Sequence, residues 1–249
     1  MQTPELPHVL VTGAVGDIGR GLVECFLGRG HRVLGLDIAT DVPEQFQGRE
    51  RFEYCSCDLT DQVATKIAIR AFIDLYGAIQ VVVNNVGLIY NGAVVSYFDG
   101  ELIGHSMQDW EKVIAVTLTT AFHVTTTCLP PMLEKGRGGV VINISSISAN
   151  GNPGQSAYSA AKGAVNSMTL AQAKELGSFG IRVAAIAPGF IDTPSTLEAM
   201  GAEALKKLRR RIPLRRLGLV SEVCHAAVFI LENHYFTGTV LELNGGLSI

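Results

Sequence analysis

Short apolar runs ended by small or acidic residues alternate along this chain with stretches whose apolar residues recur every three or four positions. The strand-like runs are His8 to Thr12, Arg32 to Asp37, Phe52 to Cys57, Gln80 to Asn84, Val140 to Ile144, Arg182 to Ile186 and Thr239 to Leu243. Between them, Ile18, Leu22, Cys25 and Phe26 stand at helical spacing, as do Val63, Ile67, Ala71 and Leu75, a segment closed by Gly77. A long helix is predicted from about Gln108 to Leu133, with Pro130-Pro131 expected to kink or split it. Tyr158 to Leu176 reads as a further helix, and Ser221, with Glu222 behind it, opens the last one, to Leu231. Such a βαβ rhythm predicts an α/β domain with a mostly parallel sheet and helices on both faces. Ligands of such sheets sit at the carboxyl ends of the strands, and the unusual residues of this chain fall there.

Composition narrows the picture. The 249 residues suit one large domain, and no polar, Pro-rich or repetitive stretch divides them. A 47% apolar and 17% charged chain fits a sheet buried on both faces. A net charge of −3 gives no reason to expect nucleic-acid or membrane partners. The opening residues, Met1 to Pro7, do not read as a signal peptide, and no uninterrupted apolar run approaches the roughly 20 residues of a membrane span. Cys25, Cys55, Cys57, Cys128 and Cys224 show no zinc-ligand spacing, so no metal site is expected. They read as reduced thiols of a cytoplasmic protein.

Candidate chemistry follows the strands. Thr12 to Gly19 (Thr-Gly-Ala-Val-Gly-Asp-Ile-Gly) lies between the first strand and first helix. There Gly13 permits a tight turn, Gly19 lets helix and strand approach, and the helix start offers N–H groups to a pyrophosphate. Asp37 ends the second strand, placed to accept hydrogen bonds from a ribose diol and to repel a 2′-phosphate. Tyr158 and Lys162 are four residues apart, on one helical face. A cation roughly 5 Å from a phenol, at an effective dielectric of about 20, favours the phenolate by on the order of 3 kcal/mol. Lys162 is therefore expected to lower the Tyr158 pKa toward the range of a general acid/base.

Taken together, these segments resemble the short-chain dehydrogenase/reductase family, in its single-domain form, over nearly the whole chain. Thr12 to Gly19 is similar to that family's glycine loop, and Asn84-Asn85-Val86-Gly87 to its N-N-A-G segment. Ser145-Ser146, Tyr158 and Lys162 resemble its Ser-Tyr-Lys set, and Pro188-Gly189-Phe190-Ile191-Asp192-Thr193 its P-G-x-x-x-T segment. The resemblance implies a doubly wound Rossmann fold with a mostly parallel seven-stranded sheet, a substrate lid around residues 190–216, and a homotetramer built on paired long helices. It also implies NAD held by Gly13, Asp17, Ile18, Gly19, Asp37, Asp58, Leu59, Asn85, Val86, Gly87, Tyr158, Lys162, Pro188, Gly189, Ile191 and Thr193. In that scheme Tyr158 carries the proton, Lys162 lowers its pKa and binds ribose, and serine holds the substrate oxygen.

Three departures from the family pattern bear on the site. Asp17 stands where the family has a glycine, with Gly16 one place earlier. Thr117 replaces the asparagine that supports a helix distortion and a water relay to the lysine. Ser145 and Ser146 are both in range of the catalytic position, and the N-I-S-S pattern favours Ser146. The leading functional reading is an NAD-dependent oxidoreductase acting on a small-molecule secondary alcohol or ketone. Two alternatives stay open: a carrier- or coenzyme-A-linked 3-oxoacyl reductase or 3-hydroxyacyl dehydrogenase, and a weakly catalytic nucleotide-binding scaffold. The cluster Lys206, Lys207, Arg209, Arg210, Arg211, Arg215 and Arg216 reads either as the solvated face of an amphipathic helix or as a contact for an anionic substrate.

Overall fold

A computed structural model describes residues 6–136 and 138–248. Residues 1–5, which carry most of the opening segment, and Ile249, the last apolar residue, lie outside the described residues. Seven strands form one sheet among the described residues: β1 (His8–Thr12), β2 (Val33–Asp37), β3 (Phe52–Ser56), β4 (Ile79–Asn84), β7 (Gly139–Ile144), β8 (Ile181–Pro188) and β9 (Val240–Leu243). Their order is β3-β2-β1-β4-β7-β8-β9, and every neighbouring pair is parallel. The order reverses between β1 and β4, which places the crevice of a doubly wound sheet at their carboxyl ends.

The sheet is buried on both faces. On one, α1 (Asp17–Gly28) and α8 (Val220–Glu232) cover Val9, Val11, Val83, Ile142 and Ile186. On the other, α2 (Gln62–Tyr76), α4 (Thr120–Glu134) and α5 (Ser156–Leu176) cover Leu10, Leu34, Val82, Val141 and Val183. Alternate strand residues therefore serve opposite layers, which explains the continuous apolar runs. A polar chain crosses the second layer. Asn84 donates to Thr125 on α4 at 2.9 Å and to Asn143 on β7 at 2.8 Å, and Asn143 donates to Thr169 on α5 at 2.9 Å.

Several elements differ from expectation. The long helix runs from α3 (Met107–Ile114) through a π-helical stretch, Ala115–Thr119, into α4. Its irregularity lies at that wide turn, while Pro130 and Pro131 stay inside α4. By length and composition 107–134 could cross a membrane, but it packs against α2, β4 and α5. Helix α8 starts at Val220 rather than Ser221, with Glu222 accepting from the Leu219 N–H at 2.7 Å.

The α2 stripe faces outward. Val63, Ile67, Ala71 and Leu75 are exposed, while Thr65, Ile69 and Phe72 are buried. Finally, β5 (Val95–Phe98) and β6 (Glu101–Gly104) form an unexpected antiparallel hairpin, turning at Asp99-Gly100 with both residues at positive φ.

Candidate active site

The carboxyl ends of β1, β2, β4, β7 and β8 open into a cleft of about 510 Å³. Asp37 and Ile38 line one end, and Ser146, Tyr158 and Lys162 line the other. Gly13, at φ 66°, makes the turn out of β1, and a Cβ there would meet the Asn85 side chain at 3.0 Å. At Gly19 a Cβ would stand 1.8 Å from the Gly13 carbonyl oxygen, so α1 packs on the loop only without a side chain. Asn85 fastens β4 to this loop, donating through Nδ2 to the carbonyls of Thr12 at 3.0 Å and Gly13 at 3.2 Å. The Asn85 and Val86 N–H groups both reach the Thr12 hydroxyl.

Asp37 holds its carboxylate by accepting from the Val15 N–H at 3.0 Å and the Ala39 N–H at 3.2 Å. Asp17 lines the cleft with its carboxylate already engaged. It accepts from Arg20 at 2.7 Å and from the Ser195 hydroxyl at 2.7 Å and N–H at 3.2 Å. Burial alone would raise its pKa, but the Ser195 hydrogen bonds and the Arg20 guanidinium hold it below the usual range. The aspartate that replaces a glycine is thus a tie between the loop and α6 (Pro194–Ala199), the first helix of the lid.

At the other end, β7 delivers Ser145 and Ser146 in opposite directions. The Ser145 hydroxyl is buried and donates to the Lys162 carbonyl at 3.4 Å. Ser146 caps the following turn at the Ser148 N–H, 3.1 Å away, and lines the same cleft as the Tyr158 phenol. Tyr158 is 8% exposed and Lys162 2% exposed on α5, with the Lys162 Nζ 5.7 Å from the Tyr158 ring centroid. The ammonium donates to the Ile144 carbonyl at 2.6 Å.

Burial, not the lysine, governs the phenol. It pushes Tyr158 up to about 12, opposed by the neighbouring Ser146 hydroxyl, and this corrects the expected lowering. Burial also brings Lys162 down to about 8, which leaves it mostly charged at neutral pH.

Thr117 lies buried in the π-helical stretch, where its hydroxyl accepts from the Leu88 N–H at 3.0 Å. The neighbouring Gly87 lies against Lys162, and a Cβ there would come 3.0 Å from the ammonium nitrogen. Through Leu88, Thr117 positions the segment that walls the lysine. Thr117→Val is expected to cost about 1 kcal/mol by leaving the part-buried Leu88 N–H unpaired, read as a lower urea midpoint. It is also expected to lower kcat by about tenfold with little change in KM. Unchanged kinetics would assign the hydroxyl to packing alone.

Pro188, Gly189, Ile191 and Thr193 line the lid side, and Thr193 caps α6 at the Thr196 N–H, 3.2 Å away. Asp58 and Leu59 do not line the cleft. Asp58 accepts from Thr60 in a tight turn, and Leu59 is buried in the core beside β2. Sequence reading missed Ser148, Asn152, Gln155 and Ser195, which line the cleft or its rim. Gln155 gathers the first two, accepting from Ser148 at 3.0 Å and Asn152 at 2.9 Å. The sequence signal for Ser148, Asn152 and Gln155 was closeness to the Ser-Tyr-Lys set, and Ser195 lies just past Thr193.

These residues fit a nicotinamide dinucleotide. A carboxylate stands at one end, a helix start with a glycine turn in the middle, and a buried ammonium beside a phenol at the other. Fold and site together define a nucleotide-binding oxidoreductase, and the chain belongs to the short-chain dehydrogenase/reductase family. The family described as enoyl-(acyl carrier protein) reductase matches residues 13–248. The 3-oxoacyl-(acyl-carrier-protein) reductase FabG of Thermotoga maritima is 36% identical, over 96% of this chain and 97% of its own length. An acetoacetyl-CoA reductase from Acinetobacter is 33% identical over 96% of both chains. The 2-(R)-hydroxypropyl-CoM dehydrogenase of Xanthobacter autotrophicus is 32% identical over 95% of this chain and 96% of its own. Among solved structures, ligand-free Thermoplasma acidophilum aldohexose dehydrogenase superimposes with a TM-score of 0.83 at 29% identity, covering 97% of this chain and 93% of that one.

Proposed function

We propose that this oxidoreductase interconverts a secondary alcohol and a ketone with NAD(H), and that its substrates include 3-oxoacyl or 3-hydroxyacyl thioesters. The observation that carries the reaction is that Ser146 and Tyr158 line one cleft beside buried Lys162, with Asp37 at its far end. A bound nicotinamide supplies or accepts the hydride. Tyr158, protonated at neutral pH, donates its proton to the carbonyl oxygen during reduction. Ser146 holds that oxygen by hydrogen bonding, and Lys162 places a positive charge where phenolate develops.

Asp37 supports NAD over NADP, since its fixed carboxylate opposes a 2′-phosphate and the glycine loop contains no basic residue. The thioester reading draws on the activities for which the FabG and acetoacetyl-CoA relatives are named. The basic face of α7 (Ala202–Arg211) also supports it. There Leu205 and Leu208, with Ile212 just beyond, are buried, while Lys206, Lys207, Arg209, Arg210 and Arg211 face solvent near the lid.

The test is kcat/KM with each cofactor against acetoacetyl-CoA, simple ketones and polyols. NADH is expected to exceed NADPH, with Asp37→Ala narrowing the gap; an NADPH preference in the natural chain would reject the assignment. Acetoacetyl-CoA is expected to exceed the simple ketones, and the reverse order would remove the thioester reading.

The same reading carries a homotetramer. Its support is the apolar surface on and beside the long helices: Phe122 on α4 and Val63, Ile67 and Leu75 on α2 are exposed. Light scattering at micromolar concentration is expected to give four times the 26.6 kDa chain mass, whereas a monomer would overturn it.

A further inference from the structure

Helices α1 and α8 cross unusually closely. A Cβ on Gly21 would come 2.2 Å from Val220 Cγ1 and 3.5 Å from Cys224 Sγ. One turn further along α1 from Gly21, Cys25 lies on the same helical face, toward the Cys224 thiol of α8, and each cysteine shifts the titration of the other. Cys224 is buried, while Cys25 is partly open to solvent at the rim of the same apolar cluster. Arg29 donates to Cys25 Sγ at 3.2 Å and to the Cys25 carbonyl at 3.4 Å. An accessible sulfur is therefore held between a guanidinium and a second, shielded sulfur.

We infer that Cys25 and Cys224 form a peroxide-reactive thiol pair that closes to a disulfide between α1 and α8. Thiolate character at Cys25 follows from its neighbours. The Cys224 thiol beside it, then the Arg29 charge, bring its pKa down to about 7 against the opposing effect of burial. The Cys25 neighbour and burial raise that of Cys224, which keeps its proton. In the first step the Cys25 thiolate attacks a peroxide oxygen. The O–O bond breaks, hydroxide leaves, and Cys25 becomes a sulfenic acid. In the second, the Cys224 sulfur attacks the Cys25 sulfur. The S–S bond forms, the S–O bond breaks, and water leaves with the Cys224 proton. Two thiols are oxidised by two electrons in total, and one hydrogen peroxide is reduced to two waters.

Such a bridge needs Cα atoms within about 7 Å, and the close crossing at Gly21, one turn from Cys25, favours that approach. Cys55, Cys57 and Cys128 lie on the opposite side of the sheet, in or against the other core layer. The bridge would tie α1, whose N-terminus opens into the cleft, to α8, whose start adjoins the Gly218–Ile191 pairing at the base of the lid.

The test uses the full-length reduced protein and hydrogen peroxide. Intact-mass spectrometry is expected to show loss of two hydrogens, and peptide mapping a Cys25–Cys224 link. In Cys224→Ser, dimedone is expected to label Cys25. In Cys25→Ser, Cys224 stays unlabelled. Iodoacetamide at pH 7 is expected to modify Cys25 about fivefold faster than Cys55, the gain in thiolate fraction being partly offset by weaker nucleophilicity. Circular dichroism of both serine variants checks that they are folded. A link through other cysteines, overoxidation of Cys25 with Cys224 present, or equal alkylation rates would each overturn the inference.

Discussion

Tyr158→Phe is expected to lower kcat by about 10²- to 10⁴-fold, the usual contribution of a general acid or base. The substitution removes one hydroxyl from a side chain already buried against Val113, Ala157 and Ala161, so the packing of its ring is kept. Ser146 remains capped on Ser148 and still faces the substrate position. Cofactor affinity, read by fluorescence titration with NADH, is expected to change by less than a few-fold. Turnover within a few-fold of the natural chain would show that the proton travels by another route. Loss of NADH binding together with turnover would show that the ring, not the proton, was disturbed.

Lys162→Met is expected to abolish most turnover and yet raise stability. The lysine is fully buried with its charge directed to a single carbonyl, Ile144. Its pKa of about 8 against an ordinary 10.5 places the cost of burying that charge at about 3 kcal/mol, at about 1.4 kcal/mol per unit. Setting the lost hydrogen bond against this leaves a net gain of about 2 kcal/mol at pH 7.

The pH dependence has a definite sign. Below pH 8 folded and unfolded chains both hold the proton, and the folded chain bears the whole cost. Between about 8 and 10.5 the folded lysine has released a proton that the unfolded chain keeps, so stability of the natural protein rises with pH. The advantage of methionine should therefore shrink across that window. Urea midpoints at pH 7 and pH 10 check it, and an advantage independent of pH would refute the electrostatic origin. Reductive turnover of the natural chain should fall as pH rises through about 8, where Lys162 loses its charge.

The strands were legible because each is a compact apolar run, and several are stopped by a residue that serves the cleft or the polar chain, as at Thr12, Asp37, Asn84 and Ser145. Two-sided burial made them stand out against the periodic helices. The α2 face was not legible, because Thr65, Ile69 and Phe72 repeat with nearly the same spacing as Val63, Ile67 and Leu75. Periodicity finds a helix with two apolar stripes but does not say which one the sheet covers. The hairpin had a local signal in Asp99-Gly100, which lies between apolar runs and suits a two-residue turn with both φ angles positive. Its side chains, such as Tyr97 at 74% and Leu102 at 75% exposure, contradict the rule that apolar means buried.

At the site, local motifs placed Tyr158, Lys162 and Asp37 in one cleft but gave the wrong balance of forces on the phenol. Spacing reveals a neighbouring charge; the burial that outweighs it depends on the whole fold. Asp17 and Ser195 are 178 residues apart, so no local pattern could disclose their bond. Asp58 and Leu59 followed the family's order, yet the chain after β3 folds Asp58 back on Thr60.

The polar chain from Thr125 through Asn84 and Asn143 to Thr169 acts on alignment. Hydrophobic contacts tolerate sliding, since one aliphatic side chain packs nearly as well as the next. Hydrogen bonds between four buried side chains do not. Sliding α5 by one residue along β7 would strand the Asn143 amide in an apolar layer. The same slip would carry Tyr158 and Lys162 away from Ser146. A vernier of buried amides and hydroxyls, out of reach of substrate, thus sets the axial position of the helix that bears the proton donor, and a catalytic fault could arise there without any change in the cleft itself.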